Sequence, residues 1–168
     1  YAKSNDTNES SRIYSTSNGG ESWDIVGSGP ATNIIKGVVY VSSDVGFFCY
    51  DYVEGMDSNL YKTDDGGKTF AKVMLEEQEL DSSAANPQGQ ETETKTDSGK
   101  NGADSSEQLR WGDVYKEALT PVVDSTGIIT IYLTQGKNAV YNDGKTAAKY
   151  QSSDKGSTWK YIGQVEIK

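Results

Sequence analysis

Three ten-residue stretches place the same residue types at the same spacing: YSTSNGGESW from Tyr14, YKTDDGGKTF from Tyr61 and YQSSDKGSTW from Tyr150. Each sets a hydroxyl residue two positions before an acid or amide, a glycine two positions after it, a second hydroxyl next but one, and then an aromatic ring. A carboxylate between hydroxyls can hold a cation, activate a nucleophile, or fold back onto nearby backbone N–H groups. Writing the arrangement three times favours the last use, because a turn repeated along a chain is architecture before it is chemistry.

The rest of the sequence removes most catalytic options. Histidine is absent and Cys49 is the single cysteine, which leaves no Cys/His metal cluster, no intrachain disulfide and no Ser-His or Cys-His nucleophile pair. Within FFCYDY, Cys49 reads as a small buried hydrophobe. Asp51, Asp113, Asp124 and Asp143 offer carboxylates for a two-acid mechanism, but no spacing singles out a pair and exposed loop acids are the plainer reading. The acidic loops match no calcium-ligand spacing, and no cofactor is implied.

The net charge of −9 argues against nucleic acid, which needs basic patches to neutralise its phosphates. Nine acids and two lysines fall within residues 76–108, so the remainder is almost neutral. That stretch holds almost no large apolar residue beyond Leu80 and reads as an acidic, mobile insertion. No apolar run reaches the roughly 18 residues of a membrane span, and no charged-then-apolar leader is legible. The Tyr/Asn/Ser/Thr-rich composition points to an extracellular or cell-surface protein; Asn5 and Asn8 are glycosylation acceptors only in a host that glycosylates.

Strands with alternating apolar residues flank each repeated stretch, which places the motif on a hairpin turn. Glycines 20, 67 and 156 supply positive φ, and Asn18, Asp65 and Asp154 accept hydrogen bonds from the turn's own amides. Trp23, Phe70 and Trp159 open the returning strand, each placed to bury a ring against a neighbouring sheet. Reading backward from the turns gives a four-strand unit: GVVYVS, FFCYDYV, LYKTDD and the strand after the motif, then LTPVV, IITIYLT, KYQSSD and the last strand. LRWGDVYKEAL reads as a short helix with Trp111 and Tyr115 one turn apart. The units are a partial one at 1–26, full ones at 27–75 and 109–168, and the insertion 76–108 between them.

These turns resemble Asp-boxes, the BNR repeats of sialidases, xyloglucan-cleaving glycosidases and sortilin-type receptors. The family pattern Ser/Thr-x-Asp-x-Gly-x-Thr-Trp/Phe is met in full by Ser152, Asp154, Gly156, Thr158 and Trp159, and by Thr63, Asp65, Gly67, Thr69 and Phe70. Thr16, Asn18, Gly20, Ser22 and Trp23 form a copy with Asn and Ser substituted. The resemblance implies an all-β chain: a partial β-propeller of four-stranded antiparallel blades, two full and part of a third, with the boxes on the face away from the ligand site. It also implies that a complete sialidase site is lacking, since that site uses three arginines and this chain has only Arg12 and Arg110. Membership of a glycoside hydrolase whose other catalytic residues lie elsewhere stays open, as does a purely structural assembly module.

Two blades and part of a third do not close a ring, which implies a longer chain, several copies, or open edges that invite pairing. The ligand face would gather SNDTNES at 4–10, EGMDSN at 54–59, the loop 135–148 and the crossing that contains Trp111. There Trp111, Tyr115 and Tyr141 are placed to stack on a sugar, with Arg110, Asn138, Asn142 and Asp143 as hydrogen-bonding groups. The opposing reading packs Trp111 and Tyr115 onto their own blade and makes 142–145 a simple hairpin tip. The implied partner is a glycan or a protein.

Overall fold

The computed structural model describes residues 2–3, 11–80, 110–136 and 141–167. These residues form three antiparallel sheets that follow one another along the chain and are not closed into a barrel. The first holds β1 (Ala2–Lys3), β2 (Arg12–Ser15) and β3 (Asp24–Ser28), in that order. The second holds β4 (Ile35–Tyr40), β5 (Gly46–Tyr50), β6 (Leu60–Thr63) and β7 (Ala71–Lys72), again in chain order. A single helical turn, α1 (Trp111–Val114), leads into the third sheet: β8 (Glu117–Ala118), β9 (Val122–Val123), β10 (Ile129–Thr134), β11 (Thr146–Ser152) and β12 (Lys160–Glu166). In that sheet β12, β11 and β10 run side by side, and both β8 and β9 pair with β10. Of the expected strand LTPVV only Val122–Val123 forms ladder, and the other piece paired with β10, Glu117–Ala118, lies before it; the break falls at 119–121, where Pro121 has no N–H to give.

The middle sheet is covered on both faces, and β5 shows why. Every residue of GFFCY is buried. Phe47 and Cys49 point into a core shared with Ile129 and Ile131 of the third sheet, while Phe48 and Tyr50 point into a second core with Ile13 of the first. A strand between two layers has no solvent side, so its apolar residues run on without alternation. Burial pushes the Cys49 thiol up to about 11 and keeps it neutral, its sulfur 3.3 Å from the carbonyl of Ala118.

The three repeated turns fold onto themselves. The Thr63 hydroxyl donates to Asp65 Oδ1 at 2.8 Å and accepts from the Gly67 amide at 2.9 Å. Asp65 Oδ1 also takes the amides of Lys68 and Thr69, and Oδ2 takes the Thr69 hydroxyl at 2.6 Å. Ser152, Asp154, Gly156 and Thr158 repeat this set. The turn around Asn18 keeps the same frame with one bond reversed: the amide nitrogen donates to the Ser22 hydroxyl at 2.9 Å, where an aspartate would accept. Gly156 has φ +77°, and a Cβ there would meet the Phe47 ring at 2.5 Å, so it serves both the turn and the packing of the second sheet against it.

Phe70 lies edge-on to Phe48 at 4.9 Å and Trp159 to Phe47 at 6.0 Å, each half-buried. Trp23 departs from the expected burial. It is 50% exposed and is held by its own turn, through a bond from its indole N–H to the Gly20 carbonyl. Of the stretch expected as an insertion, residues 76–80 are described: the Tyr150 hydroxyl donates to the Glu76 carbonyl at 2.6 Å, and Leu80 packs beside Trp111 and Tyr150. The rest of that stretch, 81–108, lies outside the described residues, as do Asn5 and Asn8.

Hydrogen bonds from Thr69 and Thr158 hold the Asp65 and Asp154 carboxyls well below the usual carboxylate range. Their contribution is present above the unfolded carboxyl pKa of about 3.9 and is lost as pH falls further, through the folded value. Thermal melts of D65N/D154N should therefore fall below the parent at pH 7, and the gap should narrow steadily as pH drops from about 4. A gap independent of pH would show that the carboxylate charge plays no part.

Candidate functional site

The site is assembled at the end of β6 opposite to its repeated turn. Between Tyr50 and Leu60 the chain leaves β5, turns at Gly55 with φ +91°, and returns through Asp57, Ser58 and Asn59. Asn59 is 1% exposed, and its amide bonds across to the third sheet. Nδ2 donates to the carbonyls of Tyr50 (2.8 Å) and Ala118 (2.9 Å), and Oδ1 accepts the Ala118 N–H at 2.9 Å. One side chain thus satisfies both backbone groups of a residue in β8, as a neighbouring strand would. Gln135 does the same for Tyr141, with Nε2 donating to its carbonyl at 2.8 Å and Oε1 accepting its N–H at 3.1 Å.

Where the 52–59 loop meets α1, a crevice of about 340 Å³ remains open. Tyr52 and Met56 flank it on one side, and Trp111 and Tyr115 form part of the wall on the other. Charges ring the mouth in pairs. Lys116 Nζ lies 3.0 Å from Glu54, Arg110 Nε 2.9 Å from Asp113, and Lys72 Nζ 2.5 Å from Asp57. The hydrogen bond from Arg110 lowers the Asp113 carboxyl, the one from Lys72 lowers Asp57, and Glu54 raises the Lys116 ammonium. No group of three or more metal-ligating side chains occurs among the described residues.

The structure gathers part of the expected ligand set here and leaves part elsewhere. Trp111 and Tyr115 line the crevice, and Arg110 reaches its rim through Asp113. Their rings are not open stacking platforms: Trp111 is 4% and Tyr115 3% exposed, 4.6 Å apart and packed with Tyr141, Tyr150 and Tyr161. A single helical turn cannot hold two large rings in water when a sheet edge lies within reach, so they pack inward. Tyr141 is 2% exposed and stands behind Tyr115. Asn142 and Asp143 lie on a tight turn with φ +48° and +54°, and Asp143 pairs with Lys145 at 3.2 Å, away from the crevice walls. Asn138 lies outside the described residues.

The four candidate acids do not converge. Asp51 pairs with Lys36 at 3.0 Å, Asp113 with Arg110 and Asp143 with Lys145, while Asp124 ties its own turn to Thr126 and Ile128. Hydrogen bonding lowers both Asp113 and Asp124, the opposite of what a proton-donating carboxyl needs. Tyr52 and Lys116 emerge from the structure as site residues outside the expected ligand face, whereas Glu54, Asp57 and Asn59 lie in its expected loop 54–59 without having been named individually. The two acids in YVEGMDSN were the available signal; the place of Asn59 depends on a strand 59 residues away.

Comparison with protein-family models, with curated proteins and with solved structures finds no match. The geometry of the crevice therefore carries the functional argument alone.

Replacing Asn59 by Ala orphans the N–H of Ala118 inside the core and leaves its carbonyl only the weak Cys49 thiol donor, at roughly 1–3 kcal/mol for each buried group left unpaired. Chemical denaturation of N59A should show a loss of about 3 kcal/mol. A cost below about 0.5 kcal/mol would mean that the amide does not hold the two sheets together.

Proposed function

We propose that this chain is a non-catalytic, extracellular Asp-box propeller segment that binds a glycan or a protein surface in the crevice between its second and third sheets. The observation that carries the reading is the crevice itself. It lies between consecutive sheets, at the strand ends opposite to the repeated turns, with an aromatic and thioether wall and a rim of paired charges. Its volume falls within the roughly 300–1,000 Å³ range of small-ligand sites. Tyr52 offers a partly open ring for a sugar face, and the Lys116–Glu54 and Arg110–Asp113 pairs offer donors and acceptors to hydroxyl groups.

The propeller assignment draws support from three features. The second sheet is a four-stranded antiparallel meander, a further sheet packs on each of its faces, and each turn motif joins the last two strands of its sheet. The turn carboxylates act on their own main chain, which fits a scaffold role for the boxes and leaves ligand binding to the other end. A glycoside hydrolase remains the second reading, favoured by one observation: Glu54, Asp57, Glu77 and Asp113 all border the same crevice.

A glycan array followed by titration calorimetry tests this. Y52A and K116A should each weaken the best ligand by about tenfold or more while melting within a few degrees of the parent. Aryl-glycoside assays should show no turnover. Hydrolysis that disappears on replacing Asp57 or Asp113 would establish the hydrolase instead, and retention of binding in both Y52A and K116A would remove the crevice from consideration.

A further inference from the structure

Of the three repeated turns only the first carries an amide where the others carry a carboxylate, and the residue after that amide is Gly19. An asparagine followed by glycine can cyclise, because the glycine backbone nitrogen reaches the side-chain amide carbon with no Cβ in its way. The hydrogen bonds around Asn18 assist that attack. Its Oδ1 accepts the Thr16 hydroxyl at 2.8 Å and the Ser22 N–H at 3.0 Å. A backbone N–H can face only the oxygen of an amide, which fixes the orientation of the group. Two donors on a carbonyl oxygen polarise its carbon and stabilise the negative charge that gathers there as a nucleophile adds. Nδ2, the nitrogen that must leave, donates to the Ser22 hydroxyl at 2.9 Å, and the proton of that hydroxyl can turn toward it.

The nucleophile is available as well. Among the described residues the Gly19 N–H has no hydrogen-bond acceptor, whereas the corresponding Gly66 N–H of the second turn donates to the Asp44 carbonyl at 2.8 Å. Asn18 and Gly19 are exposed, and among the described residues no non-neighbouring atom lies within 4 Å of the place a Cβ on Gly19 would take, so backbone movement and water both have room. The product has a seat prepared: Oδ2 of Asp65 and of Asp154 takes the hydroxyl of Thr69 and of Thr158 at 2.6 Å. An oxygen in place of Asn18 Nδ2 meets Ser22 in the same way.

We propose that the first turn is a self-modification site, at which Asn18 converts without an enzyme to aspartate and gains the carboxylate of the other two turns. The Gly19 nitrogen bonds to Cγ of Asn18 and gives up its proton, the bond from Cγ to Nδ2 breaks, and ammonia departs. Water then opens the five-membered imide. Cleavage between the Gly19 nitrogen and Cγ restores the main chain and leaves aspartate, while cleavage at the other carbonyl leaves isoaspartate. The turn favours the first, because Thr16 Oγ1 holds the amides of Asn18 and Gly20 on either side and resists a lengthened main chain between them. The crevice at the other end of the sheets plays no part.

The test incubates the folded 168-residue chain in mildly alkaline buffer beside the free peptide YSTSNGGESW, with peptide mapping by mass spectrometry. Fragment spectra separate residue 18 from Asn101, the other asparagine followed by glycine. Residue 18 of the chain should exchange ammonia for water at least as fast as the peptide does, and its main product should co-elute with the digest of N18D. S22A, at an exposed position, should slow the conversion about threefold or more with its melting temperature retained. N18D should melt at or above the parent at neutral pH, and that margin should close as pH falls below about 4. Persistence of Asn18 after the peptide has converted overturns the proposal, as does isoaspartate as the main product, an unchanged rate in S22A, or an N18D chain that melts well below the parent.

Discussion

The amide of Asn59 is the constraint on which the arrangement of the second and third sheets turns. The two sheets share an apolar core, but dispersion and burial are non-directional and permit neighbouring sheets to slide. Three hydrogen bonds from one buried side chain, two of them to the same residue of β8, permit one register only. That register sets the spacing between the 52–59 loop and α1, and with it the width of the crevice. Gln135 uses the same bidentate pairing on Tyr141, fixing the wall behind Tyr115. A buried amide that borrows the hydrogen bonding of a strand is a compact way to join two sheets whose edges do not meet.

The repeated turns work by a different economy. Their polar groups are spent within ten residues, so each turn closes without help from the rest of the fold. Asn18 shows that the frame needs an oxygen to gather amides and a second atom to meet a hydroxyl, and that this second atom can be donor or acceptor when the hydroxyl rotates to suit. Lys155 makes a similar point about the backbone: it adopts φ +58° where the two other turns have a glycine. What the turns do not spare is space for a ring, which is why Gly156 and Phe47 are matched across two sheets.

Much of the architecture could be read from residue order because its determinants are local. The hairpins follow from the spacing of hydroxyl, acid and glycine, and the burial of Cys49 from its place in an unbroken apolar strand. Trp111 and Tyr115 illustrate the limit. Their spacing gave the helical turn correctly, yet whether the rings face water or protein depends on Tyr150 and Tyr161, which lie beyond any local window. Asn59 is a sharper case: nothing near it in SNLYKT separates a loop asparagine from one that bonds to a residue 59 positions later. Trp23 errs the other way, since a pattern shared with Phe70 and Trp159 implied a neighbour that the described residues do not supply. Side chains that serve one turn were legible; those that join sheets required the sheets.

The bond from Tyr150 to Glu76 has a consequence for how the chain tolerates change. Leu80 and Trp111, which bracket the segment 81–109, belong to one apolar cluster on the third sheet. The described residues on either side of it, Leu80 and Trp111, are therefore held together in one cluster. Once both ends are fixed, the entropy of closing the intervening chain grows only with the logarithm of its length, about 0.6 kcal/mol for each doubling. Natural or engineered grafts at this point meet little thermodynamic resistance, and whatever is grafted is displayed beside α1, at the margin of the crevice.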